Sequence, residues 1–536
     1  MQSPAKKQIQ EDKPPIGPAD PGRWVALSSF FLVLSFPLFD VGWLAWIALV
    51  PWLLTLDRMS ERQAILWSYL QGIFFFGCTV WWVGCVTVPG LIVLVAYLAL
   101  FFAAWGWTAK KLMKTTGWRF FSGVPAVWVL LEFSRSILLT GLGWNFLAHT
   151  QWEWLPVIQI AEFTGVYGVS FLIVLVNAAG FLVVRSMMQA GSGGRGGGGE
   201  GEGTSIKAAF VFLGIALGAV AVVVGYGYLR LNRIEAALAP GSSSSAPAFK
   251  VTVVQGNIPQ PKKWDDAFQE AIWKRYEELT FQSIKDNPDL IIWPETSVPD
   301  YLDQAPVADQ VKNLARQTGT ALLVGAPVGE LESSRIFNAA VFFGREGIFL
   351  GRYDKVHLVP FGEYLPLEPV LGWMRKFVLM GGFSHGKDFT VFRTPIGSEQ
   401  NIPPFSVLVC FEDLFPGLTR KFAREGSRWL VVITNDAWFG RSGAAVQHLQ
   451  ASVFRAVEQR MWVVRAANTG FSGFVSPSGR VLPKPHQVPL YRSGIASADI
   501  SASSEPSFYS LHADWFQILA LVLAGSAFLP TRKRVR

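Results

Sequence analysis

A cysteine that ends a short apolar run and is followed by two acids is placed for nucleophilic chemistry, and Pro404-Phe405-Ser406-Val407-Leu408-Val409-Cys410-Phe411-Glu412-Asp413-Leu414-Phe415-Pro416 has that form. The run is rich in β-branched residues and closed by Pro416, so it predicts a buried strand delivering Cys410 to a strand-to-loop corner. A thiol that attacks a carbonyl needs a base for its proton and a cation or donor for the oxyanion. Two other strand ends supply those types. Leu290-Ile291-Ile292-Trp293 is followed by Pro294-Glu295-Thr296-Ser297, and a carboxylate just past a buried strand suits a general base. Ile348-Phe349-Leu350 leads into the densest cluster of ionisable and turn residues, Gly351 to Pro366, which contains Lys355, His357 and Glu363. Lys355 fits the oxyanion cation and is expected to favour the thiolate, lowering the Cys410 pKa towards neutrality. His357 could serve as the base in a Cys–His arrangement, but it has no placed orienting partner and is the weaker candidate.

The elements that must position these groups fall into two kinds. Of 536 residues, 51% are hydrophobic and 16% charged, with 41 Phe and 22 Trp, the balance of a membrane protein. Residues 1–23 are Pro- and charge-rich without an apolar leader segment and are expected to be a disordered tail. Seven spans are expected over residues 24–230: two helices within 24–56, broken around Pro37, Asp40 and Gly42, then 64–86, 89–109, 120–140, 160–184 and 207–229; an eighth lies at 513–531. The basic residues sit in alternate connections: Lys6, Lys7 and Lys13; Arg58 and Arg62; Lys110, Lys111, Lys114 and Arg119; Arg185, Arg195 and Lys207; and the tail 532–536. The turn at Asp40, the turn near Pro89 and the loop 140–159 hold none, so both termini are expected in the cytoplasm and residues 230–512 on the opposite side. Because the net charge of +8 follows this pattern, it argues for membrane orientation and against nucleic acid. Cys78 and Cys85 lie in apolar stretches and read as packing residues, and three cysteines exclude a disulfide framework. Glu132 and Arg135, three apart on one helical face, either pair or line a polar cavity.

The Gly-rich stretch 191–203 and the segment 231–248, with its Ser run, read as linkers. From 249 to 505 the pattern changes to short β-branched runs alternating with helical stretches. The candidate strands are Lys250–Val254, Leu290–Trp293, Ala321–Gly325, Ala339–Phe343, Val407–Val409, Leu430–Ile433, Trp462–Ala466 and Gly494–Ala498, with a hairpin at Gly473–Val475 and Arg480–Leu482. Helices are expected at Ala267–Lys285, Val307–Thr318 and Ala444–Arg460. Strands apolar on both faces, with helices between them, predict an α/β sheet covered by helices.

Trp293-Pro294-Glu295-Thr296, the run Lys355 to Pro366 and Cys410-Phe411-Glu412-Asp413 resemble the Glu-Lys-Cys motifs of the nitrilase (carbon-nitrogen hydrolase) superfamily. With eight spans, Gly256-Asn257-Ile258-Pro259-Gln260 followed by Trp264, and Thr434-Asn435-Asp436-Ala437-Trp438-Phe439, the chain is similar to its membrane branch, the apolipoprotein N-acyltransferase family. The resemblance implies an αββα nitrilase-like sandwich beside a polytopic helical membrane domain, in a multi-pass protein of the bacterial inner membrane with its catalytic domain periplasmic. It implies Cys410 as nucleophile, Glu295 as base and Lys355 as oxyanion cation, with Glu363 and Glu412 supporting and Trp264, Phe411 and Trp438 shaping the substrate site. The family often has Tyr where this chain has Phe411. The implied reaction is acyl transfer from a phospholipid, through a thioester, to the α-amino group of a diacylglyceryl apolipoprotein, by a monomer with no metal or organic cofactor. A membrane-tethered amidase using the same three residues is the alternative; a transporter or receptor has little support, because the spans carry few paired charges.

Overall fold

The computed structural model describes residues 20–191, 204–239, 247–298, 300–303, 306–330, 335–365, 369, 372, 382–394, 402–503, 506–512 and 514–529. The tails, the Gly-rich stretch, the Ser run and most of the apolar residues 371–383, with Trp373 and Phe377, which read either as core or as a lipid-facing arm, lie outside them.

Period-2 alternation builds the α/β half. In β1 (Ala248–Gln255), Val251 and Val253 face one apolar cluster while Val254 faces another. The same alternation separates Leu290 and Ile292 from Ile291 in β2 (Leu290–Ile292), and Ala321 and Leu323 from Leu322 and Val324 in β3 (Ala321–Glu330). Sheets buried on both faces need a layer on each side, and the molecule supplies it. One sheet has the order β11-β1-β2-β3-β4-β5 and the other β10-β9-β8-β7-β6, where β4 is Arg335–Phe343, β5 Phe349–Asp354, β6 Phe405–Val409, β7 Trp429–Thr434, β8 Val463–Ala467, β9 Ser472–Val475, β10 Gln487–Val488 and β11 Gly494–Ser501. The strands β1, β2 and β3 run parallel, as do β6, β7 and β8, so the segments that follow β2 and β6 leave from carboxyl ends of parallel sheets. Phe249 against Trp429 and Phe342 against Phe405 join the sheets across the interior. Helices Gln269–Ser283 and Val307–Thr318 cover the first sheet from outside. All the expected strands are present, and β5 extends the apolar run at 348–350. The expected hairpin forms as a short one: around the antiparallel bridge Val475–Val481, the Ser476 amide donates to the Arg480 carbonyl and the Leu482 amide to the Phe474 carbonyl (both 2.9 Å), while Ser472 and Gly473 pair with β10.

The other half is a helical bundle. Among the described residues, Val88–Leu112, Val166–Ala190 and Ile206–Leu238 are long and apolar enough to cross a membrane. Pro21–Leu34, Gly42–Leu56, Leu155–Thr164 and Trp515–Phe528 are shorter apolar helices, and Glu61–Thr79 and Gly117–Arg135 pack among them. The helix expected from residue 160 is broken at Gly165, whose φ of +64° ends Ala161–Thr164 before Val166–Gly191 begins. Cys78 and Cys85 are exposed and do not pack as expected. Glu132 and Arg135 do not pair: Arg135 donates to the carbonyls of Trp144 and Asn145 (2.6 and 3.3 Å), and Glu132 accepts from the Leu147 amide (2.7 Å). Both line one aromatic-walled cavity with Phe76, Phe102 and Trp128.

The two halves meet along helix Ala444–Gln459, nearly every residue of which is buried. Its neighbour Arg460 donates to Glu162 (2.6 Å) and Gln159 (2.7 Å), Glu458 accepts from the Val166 amide (2.8 Å), and Gln450 donates to Asp40 (3.2 Å). The base-free connections around Asp40 and 140–159 thus touch the α/β half, through Asp40 and Gln159.

Candidate active site

Glu295 leaves the end of β2 on a sharp corner. Gly325 of β3 is required beside it, since a Cβ there would stand 2.3 Å from the Pro294 carbonyl oxygen and 2.7 Å from the Glu295 Cα. Thr296 takes φ +45°, and the Ser297 amide donates to the Gly325 carbonyl (2.8 Å), fixing the turn. Lys355 follows β5, held by its amide on the Asn338 carbonyl (2.9 Å). Cys410 follows β6 in the left-handed region, φ +54°, a conformation that a non-glycine residue adopts only when its surroundings impose it.

These three ends converge in a buried cluster. The Asn338 amide nitrogen donates to Glu295 Oε1 (2.8 Å) and Glu363 Oε1 (2.9 Å), bridging the two carboxylates. The Lys355 ammonium lies 2.9 Å from Glu363 Oε2 and 3.7 Å from Glu295 Oε1. Burial disfavours the lysine charge, but Glu363, Glu295 and Cys410 outweigh it and raise the pKa, so Lys355 stays protonated. Cys410 is 8% exposed. Burial, reinforced by Glu295, pushes its thiol well above the ordinary value, and Lys355 only partly opposes this. The expected low-pKa thiolate is thus corrected: Cys410 rests as a thiol, because the loss of water and the neighbouring carboxylate outweigh one cation.

Glu412 sits elsewhere in the architecture than Glu363. Its carboxylate accepts from the amides of Val409 (2.8 Å), Val356 (2.9 Å) and His357 (2.9 Å) and from the Tyr353 hydroxyl (2.8 Å). It therefore ties the Cys410 corner to the Lys355 strand end. Burial pushes its carboxyl up to about 7. His357 lends its backbone amide to this staple and stacks its ring on Phe415 (4.0 Å), and burial and Lys355 lower its pKa to about 4. It is a core-edge histidine.

The remaining expected residues are distributed around the cluster. Phe411 is buried against Phe415, Trp144 and His357, which joins the Cys410 corner to the loop 140–159. Trp264 is 41% exposed and Trp438 half-buried, and neither joins the hydrogen-bonded cluster among the described residues. Their two segments are nonetheless pinned together: Asn468 accepts from the Ile258 amide (2.9 Å) and donates to Asn435 (2.9 Å), and Asn435 donates to Gln260 (2.8 Å).

Several buried polar residues were not singled out in the sequence. Asn338 interrupts an otherwise apolar strand, a signal that would have found it. Lys263, beside Trp264, is 2% exposed and donates to the Glu295 carbonyl (2.9 Å). Beneath Cys410, His448 bridges Asp436 (2.9 Å) and Asp413 (2.8 Å) and lies 3.2 Å from the Cys410 carbonyl, while Arg465 pairs with Asp413 (2.7 Å). Burial opposes the imidazolium, but the two aspartates outweigh it and raise His448 to about 9. Among the described residues no group of His, Cys, Asp and Glu could hold a metal ion.

Known proteins share both halves. Residues 28–179 match the model of the apolipoprotein N-acyltransferase N-terminal domain, and residues 250–506 that of carbon-nitrogen hydrolase. The chain is 37% identical over 528 residues to the apolipoprotein N-acyltransferase of Geobacter metallireducens, with 94% of each chain covered. It is 29% identical to that of Chlorobaculum tepidum, over 95% of this chain and 96% of the relative. Among solved structures it is similar to yeast Nit3 of the nitrilase superfamily (17% identity, TM-score 0.37, 55% of this chain and 98% of that one).

Proposed function

The chain belongs to the apolipoprotein N-acyltransferase family, and from that premise we propose that it moves an acyl chain from a membrane phospholipid, through a thioester on Cys410, to the α-amino group of a diacylglyceryl apolipoprotein. The observation that carries the reading is the convergence of Glu295, Lys355 and Cys410 at three strand ends, with the nucleophile held as a thiol beside a carboxylate.

In the first half-reaction Glu295 takes the Sγ proton as sulfur attacks the ester carbonyl, and Lys355 neutralises the oxyanion. Collapse breaks the ester C–O bond, the departing alkoxide takes the proton back from Glu295, and a lysophospholipid leaves. In the second half-reaction the acceptor amine attacks the thioester. Its proton passes through Glu295 to the departing sulfur, restoring the thiol and leaving an amide. Glu363 and Asn338 act as positioning residues for Lys355 and Glu295, and Glu412 for the Cys410 corner. Trp264, Phe411 and Trp438 shape the entry for the acyl chain.

Both substrates live in the bilayer, and the catalytic half rests on the helical bundle through Arg460, Glu458 and Gln450. We read that bundle as eight spans, with the catalytic half on the periplasmic face and both termini cytoplasmic. The packing of the base-free connections against the catalytic half supports this orientation.

The test is intact-protein mass spectrometry after incubation with phosphatidylethanolamine and no acceptor. One fatty acyl mass should appear on Cys410, be released by neutral hydroxylamine, and pass to an added diacylglyceryl-cysteine peptide. Cys410→Ala, Glu295→Gln and Lys355→Ala should each be silent, because the three act as a unit. An amidase would ignore the phospholipid, or release free acid without acylating the peptide. Absence of any adduct in folded protein, with no acylated peptide, would end the acyltransferase reading.

A further inference from the structure

Lys263 is a buried cation beside Glu295 that the reaction above does not use. It ends the short helix Gln260–Lys263, next to Trp264, and is 2% exposed. Its ammonium carries three protons, yet among the described residues its hydrogen bond is the single one to the Glu295 carbonyl, and no carboxylate pairs with it. Two donors on a fully buried ammonium are therefore left over beside the base and the nucleophile. Such an arrangement costs stability in the resting protein, since buried charge without partners is disfavoured. Lys355 differs in this respect: both Glu363 oxygens lie within 3.0 Å of its nitrogen, and Glu295 is 3.7 Å away, so its protons are already directed at carboxylates.

We propose that Lys263 is a second catalytic cation, whose spare N–H donors receive the oxygen of the donor ester as it becomes an oxyanion at Cys410. This rests on the reading of Cys410 as nucleophile and Glu295 as base. Lys263 keeps its protons throughout. The Sγ proton goes to Glu295, the carbonyl electron pair goes to oxygen, and Lys263 and Lys355 hold that oxygen until the C–O bond breaks. The charged groups around the sulfur are then Glu295, Lys355, Asp436 and Lys263. The environment agrees with the geometry: burial pulls the Lys263 pKa down to about 8, while Glu295 and Cys410 hold it up. The lysine is thus charged at neutral pH but poorly solvated, and it gains most from an anion that forms only during the reaction.

The test compares two reactions of the same sulfur in the full-length protein in detergent. Single-turnover acylation by phosphatidylethanolamine passes through an oxyanion; alkylation by iodoacetamide does not. In Lys263→Met the ratio of acylation rate to alkylation rate should fall by about 10²-fold, the loss seen when one oxyanion donor is removed. Lys263→Gln can still donate to the Glu295 carbonyl, so it keeps the loop anchored if Lys263→Met does not fold; its ratio should fall by about tenfold or more. A purely structural lysine would slow both reactions together, and an unchanged ratio in the folded variant would overturn the proposal. Transfer that survives in Cys410→Ala would instead overturn the reading of the nucleophile.

Discussion

Replacing Glu412 by glutamine removes one charge and almost no volume from the staple between the Cys410 corner and the end of β5. In the wild type, Oε1 serves the amides of Val356 and His357, Oε2 serves that of Val409, and the Tyr353 hydroxyl reaches both oxygens. A glutamine has one oxygen. Its amide nitrogen must face either the Val409 N–H or the Val356 and His357 pair, leaving one or two backbone donors without an acceptor at about 1–3 kcal/mol each. The surviving bonds also fall from charge-assisted to neutral strength. A total of roughly 3 kcal/mol, expressed in the placement of Cys410 against Lys355, corresponds to about 10²-fold in the acylation rate. Alanine orphans three backbone amides and a phenol, roughly 4–12 kcal/mol, which is comparable to a whole protein's stability. Glu412→Ala is therefore expected not to accumulate folded. The pH dependence separates the two contributions. Because burial holds the Glu412 carboxyl up at about 7, above its unfolded value, the wild type binds a proton there more tightly when folded and loses stability as pH rises from 4.5 through 7. Glutamine lacks that loss, so the stability deficit of Glu412→Gln should be smaller at pH 8 than at pH 5. Single-turnover acylation by mass spectrometry and thermal unfolding in detergent measure both. Acylation by folded Glu412→Gln within about threefold of wild type would refute the staple as the determinant of the site.

Two further outcomes are expected. His448, raised from 6.5 to about 9 by its two aspartates against the opposing effect of burial, contributes about 3 kcal/mol that is fully present below pH 6.5 and lost as pH rises through 9. The thermal midpoint should fall across that window in the wild type and stay flatter in His448→Gln; parallel curves would exclude the imidazolium. With Cys78 and Cys85 replaced by serine, a cysteine placed in the stretch 191–203 should react with an impermeant maleimide only from the cytoplasm, and one in 242–245 only from outside. Labelling of both from one side would invert the orientation.

The strands of the catalytic half were legible because alternation marks both faces of a buried sheet, and the three strand ends carried their chemistry in adjacent residues. What could not be read was how the ends combine. Glu363 and Glu412 look alike in sequence, yet one pairs with Lys355 and the other binds backbone amides, a difference set by side-chain direction at the ends of β5 and β6. Lys263 lies in a polar, exposed-looking stretch, yet it is buried and donates to the carbonyl of Glu295, a residue distant in sequence. The protonation of Cys410 depends on burial contributed by distant segments, Trp144 through Phe411 among them, and no local pattern encodes that.

The protonated state of Cys410 also governs how the protein survives between turnovers. Thiolate character and exposure set the rate at which a cysteine is oxidised to sulfenic acid or captured as a mixed disulfide. Cys410, kept as a neutral thiol and 8% exposed, is shielded on both counts. In the proposed mechanism its reactivity is conditional, since Glu295 would generate the thiolate only as a carbonyl is engaged. A permanently ionised cysteine would be easier to read as a catalyst and more readily oxidised.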